Sequence, residues 1–308
     1  MKNIVIGYGN VGRLIAAELK KAGEQVTIGR HEAADGSDSF DSIGVDLLDA
    51  VSVQQAIEGH DRVFVTTGLP YKLSVWRAEW PIIIDNVIAA AKSADAKLIF
   101  IDNIYLYGPS PLQNPITEQH PRSPVSKKGA VRLKLVEKLE AAMQDVLEVL
   151  IVRCADFYGP RVNSSGLTMA VDAATKGKKP YFMGNEATRH SYSYVPDIAK
   201  ATVLLALATD TYNQTWHAPT APALTGIELK KLVEKSMSKK VAWSTLRPGT
   251  MRLLELFVPI LRELHEMMYQ FENDYVFDSS KFQQRFPDFA VMPYDAGIAN
   301  TIAASLSK

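Results

Sequence analysis

Gly7, Gly9 and Gly12 stand at G-x-G-x-x-G spacing in Gly7-Tyr8-Gly9-Asn10-Val11-Gly12. Such a turn recognises a pyrophosphate. Gly7 makes the tight turn, Gly9 lets the backbone approach the phosphates, and Gly12 lets the next helix pack closely. A helix N-terminus adds free N–H groups and the positive end of a dipole. The alternative is a strand–helix turn that binds nothing, and the context argues against it. The apolar strand Lys2-Asn3-Ile4-Val5-Ile6 precedes the turn. Val11, Leu14, Ile15 and Leu19 follow at helical spacing, and a second strand, Gln25-Val26-Thr27-Ile28, comes after Gly23. That strand leads to Arg30. An acidic residue there would bind the ribose 2′-OH of NAD, whereas arginine accommodates the 2′-phosphate of NADP. NADP is therefore expected ahead of NAD, with a solvated surface arginine as the plainer alternative.

Asp46 and Leu47 follow the third strand. Asp46 can accept a hydrogen bond from an adenine amino group, and Asp49 is placed to cap the next helix. Thr66, Thr67 and Gly68 end a strand with small residues that let a ring or ribose pass close by. His31, His60, His120 and His265 share no metal-ligand spacing, and Cys154 is the single cysteine, so no metal site is expected.

These residues need a scaffold. Strands are predicted at 2–6, 25–28, 43–45, 62–66, 97–101 and 147–152, with helices at 10–22, 50–58, 74–93 and 128–144. Their alternation predicts an α/β fold, a Rossmann doubly wound parallel sheet with right-handed crossovers. A Pro- and Gly-rich loop runs from Gly108 to Pro124, and after Gly159-Pro160 the alternation gives way to a smaller mixed α/β part.

The 308 residues carry 34 Lys+Arg and 34 Asp+Glu. Zero net charge gives no general attraction to nucleic acid or membrane. One cysteine excludes an intramolecular disulfide and, with a chain that enters a strand at once, leads us to expect a cytoplasmic protein. Leu253–Phe271 is apolar but interrupted by Glu255, Arg262, Glu263 and Glu266. It does not suit a bilayer span and reads as an amphipathic helix at a groove or interface.

Two later stretches share one pattern, a strand followed by a polar and aromatic turn. They are Leu98-Ile99-Phe100-Ile101-Asp102-Asn103-Ile104-Tyr105-Leu106-Tyr107-Gly108 and Val149-Leu150-Ile151-Val152-Arg153-Cys154-Ala155-Asp156-Phe157-Tyr158-Gly159-Pro160. With Tyr194-Val195-Pro196-Asp197-Ile198-Ala199 they make the chain resemble the extended short-chain dehydrogenase/reductase superfamily, the group of NAD-dependent epimerases and dehydratases. The resemblance implies a dinucleotide-binding domain of 1–160 plus 190–217 and a substrate-binding part of 161–189 plus 218–308. It adds Cys154, Ala155 and Asp156 to the cofactor residues. It also implies a small-molecule substrate, and a homodimer through 74–93 and 128–144. His190 and Trp216 are expected in structural roles, and Asp197 as a helix cap.

The chain departs from that pattern where catalysis resides. The superfamily carries Ser or Thr past the fifth strand and Tyr-x-x-x-Lys on the next helix, the tyrosine as acid/base. Here the register gives Asn103, then Lys128 for the tyrosine and Arg132 for the lysine. Asn103 can donate a hydrogen bond to a substrate oxygen. Arg132 stays protonated and cannot exchange a proton. Lys128 can transfer a proton only by way of its neutral form. Tyr105 and Tyr107 are phenols close by on the same turn. Asn103, Lys128, Arg132 and Tyr105 are thus the catalytic candidates. The implied activity is hydride transfer at a carbonyl or hydroxyl carbon of a small or sugar-nucleotide-like substrate. The competing reading is a non-catalytic NAD(P) redox sensor that acts through a protein partner.

Overall fold

A computed structural model describes residues 1–32, 40–162 and 165–307. By internal contacts the chain forms two compact units. The first comprises Met1–Tyr105, Lys128–Arg153 and Ala199–Trp216; the second comprises Leu106–Lys127, Cys154–Ile198 and His217–Lys308. The expected division differs from this one. The loop after Leu106 and the residues from Cys154 to Pro160 group with the second unit, because their partners lie there.

The first unit is built on a seven-stranded sheet. Its first ten elements are β1 (Lys2–Ile6), α1 (Gly12–Lys21), β2 (Gln25–Arg30), β3 (Asp41–Gly44), α2 (Ala50–Ile57), β4 (Arg62–Val65), α3 (Leu73–Ser93), β5 (Lys97–Asn103), α4 (Lys127–Gln144) and β6 (Val149–Cys154). The sheet order is Gln214–His217, β6, β5, β4, β1, β2, β3, with β1 at the point where the winding reverses. The pairs β1–β2, β1–β4, β2–β3 and β4–β5 are parallel. Residues of β1, β4 and β6 are buried almost throughout, as a sheet covered on both faces requires. Asp49 caps α2 by accepting the Val51 N–H at 2.9 Å, as expected. In α3, Trp76, Trp80, Ile83, Ile84 and Val87 turn inward, while Ile82 stays exposed.

Among the described residues the second unit holds three small two-stranded sheets. Asp156–Tyr158 runs parallel to Tyr192–Tyr194, and Tyr181–Met183 parallel to Ser244–Leu246. Arg189–His190 pairs antiparallel with Leu224–Thr225. Tyr158, Val171, Tyr194, Leu229, Val233 and Ile298 pack in its core. The helix Gly226–Met237 opens on a full capping box between Thr225 and Glu228.

Two local expectations are corrected. Asp197 is not a helix cap: the helix begins at Val195, and the buried Asp197 carboxylate accepts the Met292 N–H at 2.7 Å. The apolar stretch from Leu253 is not one helix. It divides into Pro248–Leu254, Pro259–His265 and Tyr269–Glu272. Proline lacks the N–H that a continuing helix needs at 259, so it starts a new helix instead.

Candidate active site

The glycine turn joins β1 to α1 and has the geometry that the spacing implies. Gly7 has φ +96°, and a Cβ there would lie 2.8 Å from the Thr67 nitrogen. A Cβ on Gly12 would lie 1.9 Å from the Gly7 carbonyl oxygen. Both glycines are thus required by close packing. At Gly9 a Cβ would meet nothing within 4 Å. The turn therefore has open space at the one glycine whose task is to admit a ligand. Helix α1 carries no acidic residue in its first turn, and no side chain caps it. Val11 is buried, and its carbonyl accepts the Leu14 and Ile15 N–H groups, both at 3.0 Å. Tyr8 and Asn10 are half-buried beside the exposed Gly9. This donor set and this space fit a dinucleotide pyrophosphate.

Thr66 and Thr67 brace the turn from below. Thr66 Oγ1 donates to the carbonyls of Ile6 (3.1 Å) and Gly7 (2.7 Å), and Thr67 Oγ1 to that of Ile6 (3.3 Å). Gly68, next along, leaves open space on its side-chain face. Arg30 ends β2 with its guanidinium 4.5 Å from the centre of the Tyr8 ring, a cation–π contact that holds it beside the turn. Asp46 forms a local turn: its N–H donates to Ser52 Oγ at 3.0 Å, and its Oδ1 accepts the Leu48 N–H at 2.9 Å. The Leu47 carbonyl accepts from Asn86 Nδ2 at 3.0 Å.

The catalytic candidates lie at the end of β5, just past it, and on the first turns of α4. Asn103 is half-buried, and its Oδ1 accepts the Tyr105 N–H at 3.1 Å, which aims this loop. Lys128 is fully buried, with Nζ 4.5 Å from the centre of the Tyr71 ring. The Tyr71 hydroxyl is 3.5 Å from that of Tyr105, and Trp76 stacks on the Tyr105 ring at 6.3 Å. A lysine and two phenols thus form one cluster. Sequence reasoning missed Tyr71 and Trp76. They lie more than twenty-five residues before Tyr105 in the chain and reach it only through the β4–β5 pairing.

Arg132 is in a different situation. Its Nη2 and Nε lie 2.5 and 2.9 Å from Asp102 Oδ1, and Nη2 also reaches the Ile101 carbonyl at 3.3 Å. The Arg153 Nε donates to Asp102 Oδ2 at 2.9 Å. All three side chains are buried. The guanidinium of Arg132 also stacks against Trp80 and Phe100, at 5.0 and 4.9 Å. Burial alone would raise the Asp102 carboxyl, but the two guanidiniums outweigh it and hold its pKa below the ordinary value. Arg132 is thereby bound into a structural triad. An arginine inside the apolar run Val149–Cys154 was the available signal for that triad, since a buried charge requires a partner.

The remaining expected cofactor residues lie in the second unit. Cys154 is buried at the end of β6, and the Ala155 N–H donates to Ser193 Oγ at 3.1 Å. Asp156 Oδ2 is 2.9 Å from His190 Nε2, and His190 stacks between Phe271 (4.7 Å) and Tyr275 (4.3 Å). This is the structural role expected of His190. Tyr107 is no accessible phenol. It is fully buried, with its hydroxyl 2.8 Å from His217 Nε2. His217 Nδ1 lies 2.7 Å from the Asp278 carbonyl, so Nδ1 carries the proton and Nε2 accepts from Tyr107 in the neutral ring. Trp216 packs in the core and donates to the Thr211 carbonyl at 2.9 Å. Among the described residues no group of His, Cys, Asp and Glu could hold a metal ion.

The model of the NAD dependent epimerase/dehydratase family matches residues 4–216, well over half of the chain, and the chain belongs to that family. No curated protein matches it. Among solved structures it is similar to UDP-glucuronic acid 4-epimerase from Bacillus cereus in complex with NAD. The identity is 16% over 100% of this chain and 99% of that one, with a TM-score of 0.79. It is also similar to WbmH of Bordetella bronchiseptica in complex with NAD+, at 20% identity, 98% and 97% coverage and a TM-score of 0.76. The UDP-glucose 4-epimerase of Thermus thermophilus in complex with NAD matches at 18% identity, 99% of each chain and a TM-score of 0.77. At these identities the likeness shows the shared Rossmann-type fold.

Proposed function

We propose that this member of the NAD dependent epimerase/dehydratase family binds NADP(H) and transfers hydride at an oxygen-bearing carbon of a small, sugar-nucleotide-like substrate. The observation that carries this reading is the cluster of Lys128, Tyr71 and Tyr105, which we assign to the position of the missing dyad tyrosine. Family membership and the sugar-nucleotide epimerases among the structural neighbours support the substrate class.

The open face of Gly9 and the N-terminus of α1 would hold the pyrophosphate. Arg30, fixed over Tyr8, would meet the adenosine ribose and supports the 2′-phosphorylated form. When bound, the nicotinamide accepts or supplies a hydride. The Asn103 amide would polarise the reacting oxygen, and Lys128 or Tyr105 would take or return its proton. Arg132 has no part in proton transfer, since Asp102 holds it and a guanidinium keeps its proton.

Calorimetry with NADPH and NADH, followed by consumption assays over carbonyl and UDP-sugar panels, tests this reading. Binding together with turnover supports it. NADH bound far more tightly than NADPH would overturn the role given to Arg30.

A second reading is favoured by one observation. The Asp102–Arg132 pairing removes the cation that the family pattern would offer to the nicotinamide ribose. A non-catalytic redox sensor needs only the binding half of the site. Tight NADPH binding without turnover on any panel would select it.

A further inference from the structure

We propose that Tyr71 is a positioning residue for proton transfer, donating its hydroxyl to Tyr105 and coupling that phenol to the charge of Lys128. Resting on the hydride-transfer reading above, this role makes Tyr105 the substrate-facing phenol and has Lys128 act through Tyr71. Burial divides the cluster. Lys128 is fully buried, whereas Tyr71 and Tyr105 are half-buried, so the side chains that a substrate can reach are the phenols. The Tyr71 hydroxyl donates to that of Tyr105 at 3.5 Å, and Lys128 Nζ lies 4.5 Å from the centre of the Tyr71 ring. Trp76 fixes both rings, stacked on Tyr105 at 6.3 Å and edge-on to Tyr71 at 5.8 Å. The Trp76 indole nitrogen is buried with no hydrogen-bond partner among the described residues, so ring packing holds it in place.

Tyr105 stands two residues past Asn103, whose Oδ1 accepts the Tyr105 N–H at 3.1 Å. One turn therefore carries both the amide that polarises the reacting oxygen and the phenol that protonates it. In the reducing direction the carbon gains a hydride from the bound dinucleotide. The Tyr105 O–H bond breaks, its proton forms a new O–H bond on the substrate oxygen, and Tyr105 is left as a phenolate. Between two neutral hydroxyls, 3.5 Å is a long hydrogen bond. Toward a phenolate the same bond is charge-assisted, and such bonds are shorter and about twice as strong. The Lys128 charge over the Tyr71 ring favours the same anion, in a buried setting where water screens it little. In the oxidising direction the phenolate takes the proton from the substrate hydroxyl as the carbon gives up its hydride. Arg132 cannot lend this support, because Asp102 holds its guanidinium.

Tyr71→Phe keeps the ring against Trp76 and Lys128 and removes only the hydroxyl. In the full chain, with a substrate found on the panels, kcat should fall about tenfold while KM and NADPH affinity stay unchanged. The limb of the kcat–pH profile governed by Tyr105 should move about one pH unit higher, which is the same tenfold. A second measurement needs no substrate. Ultraviolet difference titration of wild type against Tyr105→Phe isolates the ionisation of Tyr105. Repeated in the Tyr71→Phe background, it should place that ionisation about one pH unit higher, and in the Lys128→Met background it should also move up. A purely structural role for Tyr71 leaves both pH readouts where they are. Tyr105 ionising at the same pH with and without the Tyr71 hydroxyl overturns the coupling, whether or not turnover is found. A wild-type chain that binds NADPH and turns over nothing overturns the hydride-transfer reading instead, and with it the catalytic use of the pair.

Discussion

Arg132 and Asp102 form a buried two-point ion pair, with the Arg132 Nη2 and Nε at 2.5 and 2.9 Å from one carboxylate oxygen, while Arg153 occupies the other oxygen. The Arg132 guanidinium is used here to neutralise an aspartate. Asp102 is the only anion of this triad, so it sets the stability of the whole arrangement.

Asp102→Asn should therefore be strongly destabilising at neutral pH, by about 3–5 kcal/mol, because it leaves two guanidiniums buried without their counter-charge. The native carboxyl titrates below its ordinary value of 3.8. Its stabilisation is fully present above that value and is lost as the pH falls through the lower native-state value. Thermal unfolding at pH 7 and again near pH 3 should show the gap between wild type and variant narrowing on acidification. A gap that is constant with pH would contradict the assignment.

Gly9 and Gly12 should respond to alanine in opposite ways. Gly12→Ala forces a Cβ into the Gly7 carbonyl and should destabilise the fold by about 1–3 kcal/mol. Gly9→Ala meets no protein atom, so its unfolding temperature should match wild type while NADPH affinity drops. Paired unfolding and calorimetry experiments separate the two effects.

Arg30→Asp should reverse the dinucleotide preference. An acidic group at the end of β2 favours a ribose 2′-OH and repels a 2′-phosphate. The ratio of NADPH to NADH affinity should fall about tenfold or more, the scale of one lost charge-assisted contact. An unchanged ratio would return Arg30 to the role of a surface arginine stacked on Tyr8.

Lys128→Met and Tyr105→Phe bear on the chemical step. With a substrate found on the panel, loss of the proton-transfer group should lower kcat by about 10²–10⁴-fold, with dinucleotide affinity retained. The variant with the larger kcat loss identifies the group that moves the proton. Full turnover by Lys128→Met would remove Lys128 from the mechanism.

Tyr158 and Tyr294 offer a contrast within the second unit's core. Burial pushes both phenols well above the ordinary tyrosine range. The Tyr294 hydroxyl accepts the Tyr192 N–H at 2.8 Å, whereas that of Tyr158 has no partner among the described residues. Tyr294→Phe should cost about 1–3 kcal/mol by stranding a buried N–H, and Tyr158→Phe should be neutral or stabilising. Urea unfolding of both variants checks the difference.

Much of the scaffold was legible because it depends on short-range signals. Apolar periodicity located β1–β6 and α1–α4 to within a few residues. The glycine spacing predicted a turn whose three positions differ as expected: two closed by packing and one open. The resemblance to the superfamily implies that Asn103, Lys128 and Arg132 stand where Ser, Tyr and Lys would. Sequence could not say what those substitutes touch. Asp102 and Arg132 are thirty positions apart, Tyr71 and Tyr105 thirty-four, and Tyr107 and His217 one hundred and ten. Such contacts are fixed by strand order and helix packing, which no local pattern encodes. The sequence by itself determined a Rossmann sheet with a tight glycine turn between its first strand and helix. Only the tertiary structure decided that Arg132 is held by Asp102, that Tyr107 is consumed by His217, and that Lys128 keeps company with Tyr71 and Tyr105, because a buried charge or hydroxyl takes the partner that folding brings within reach.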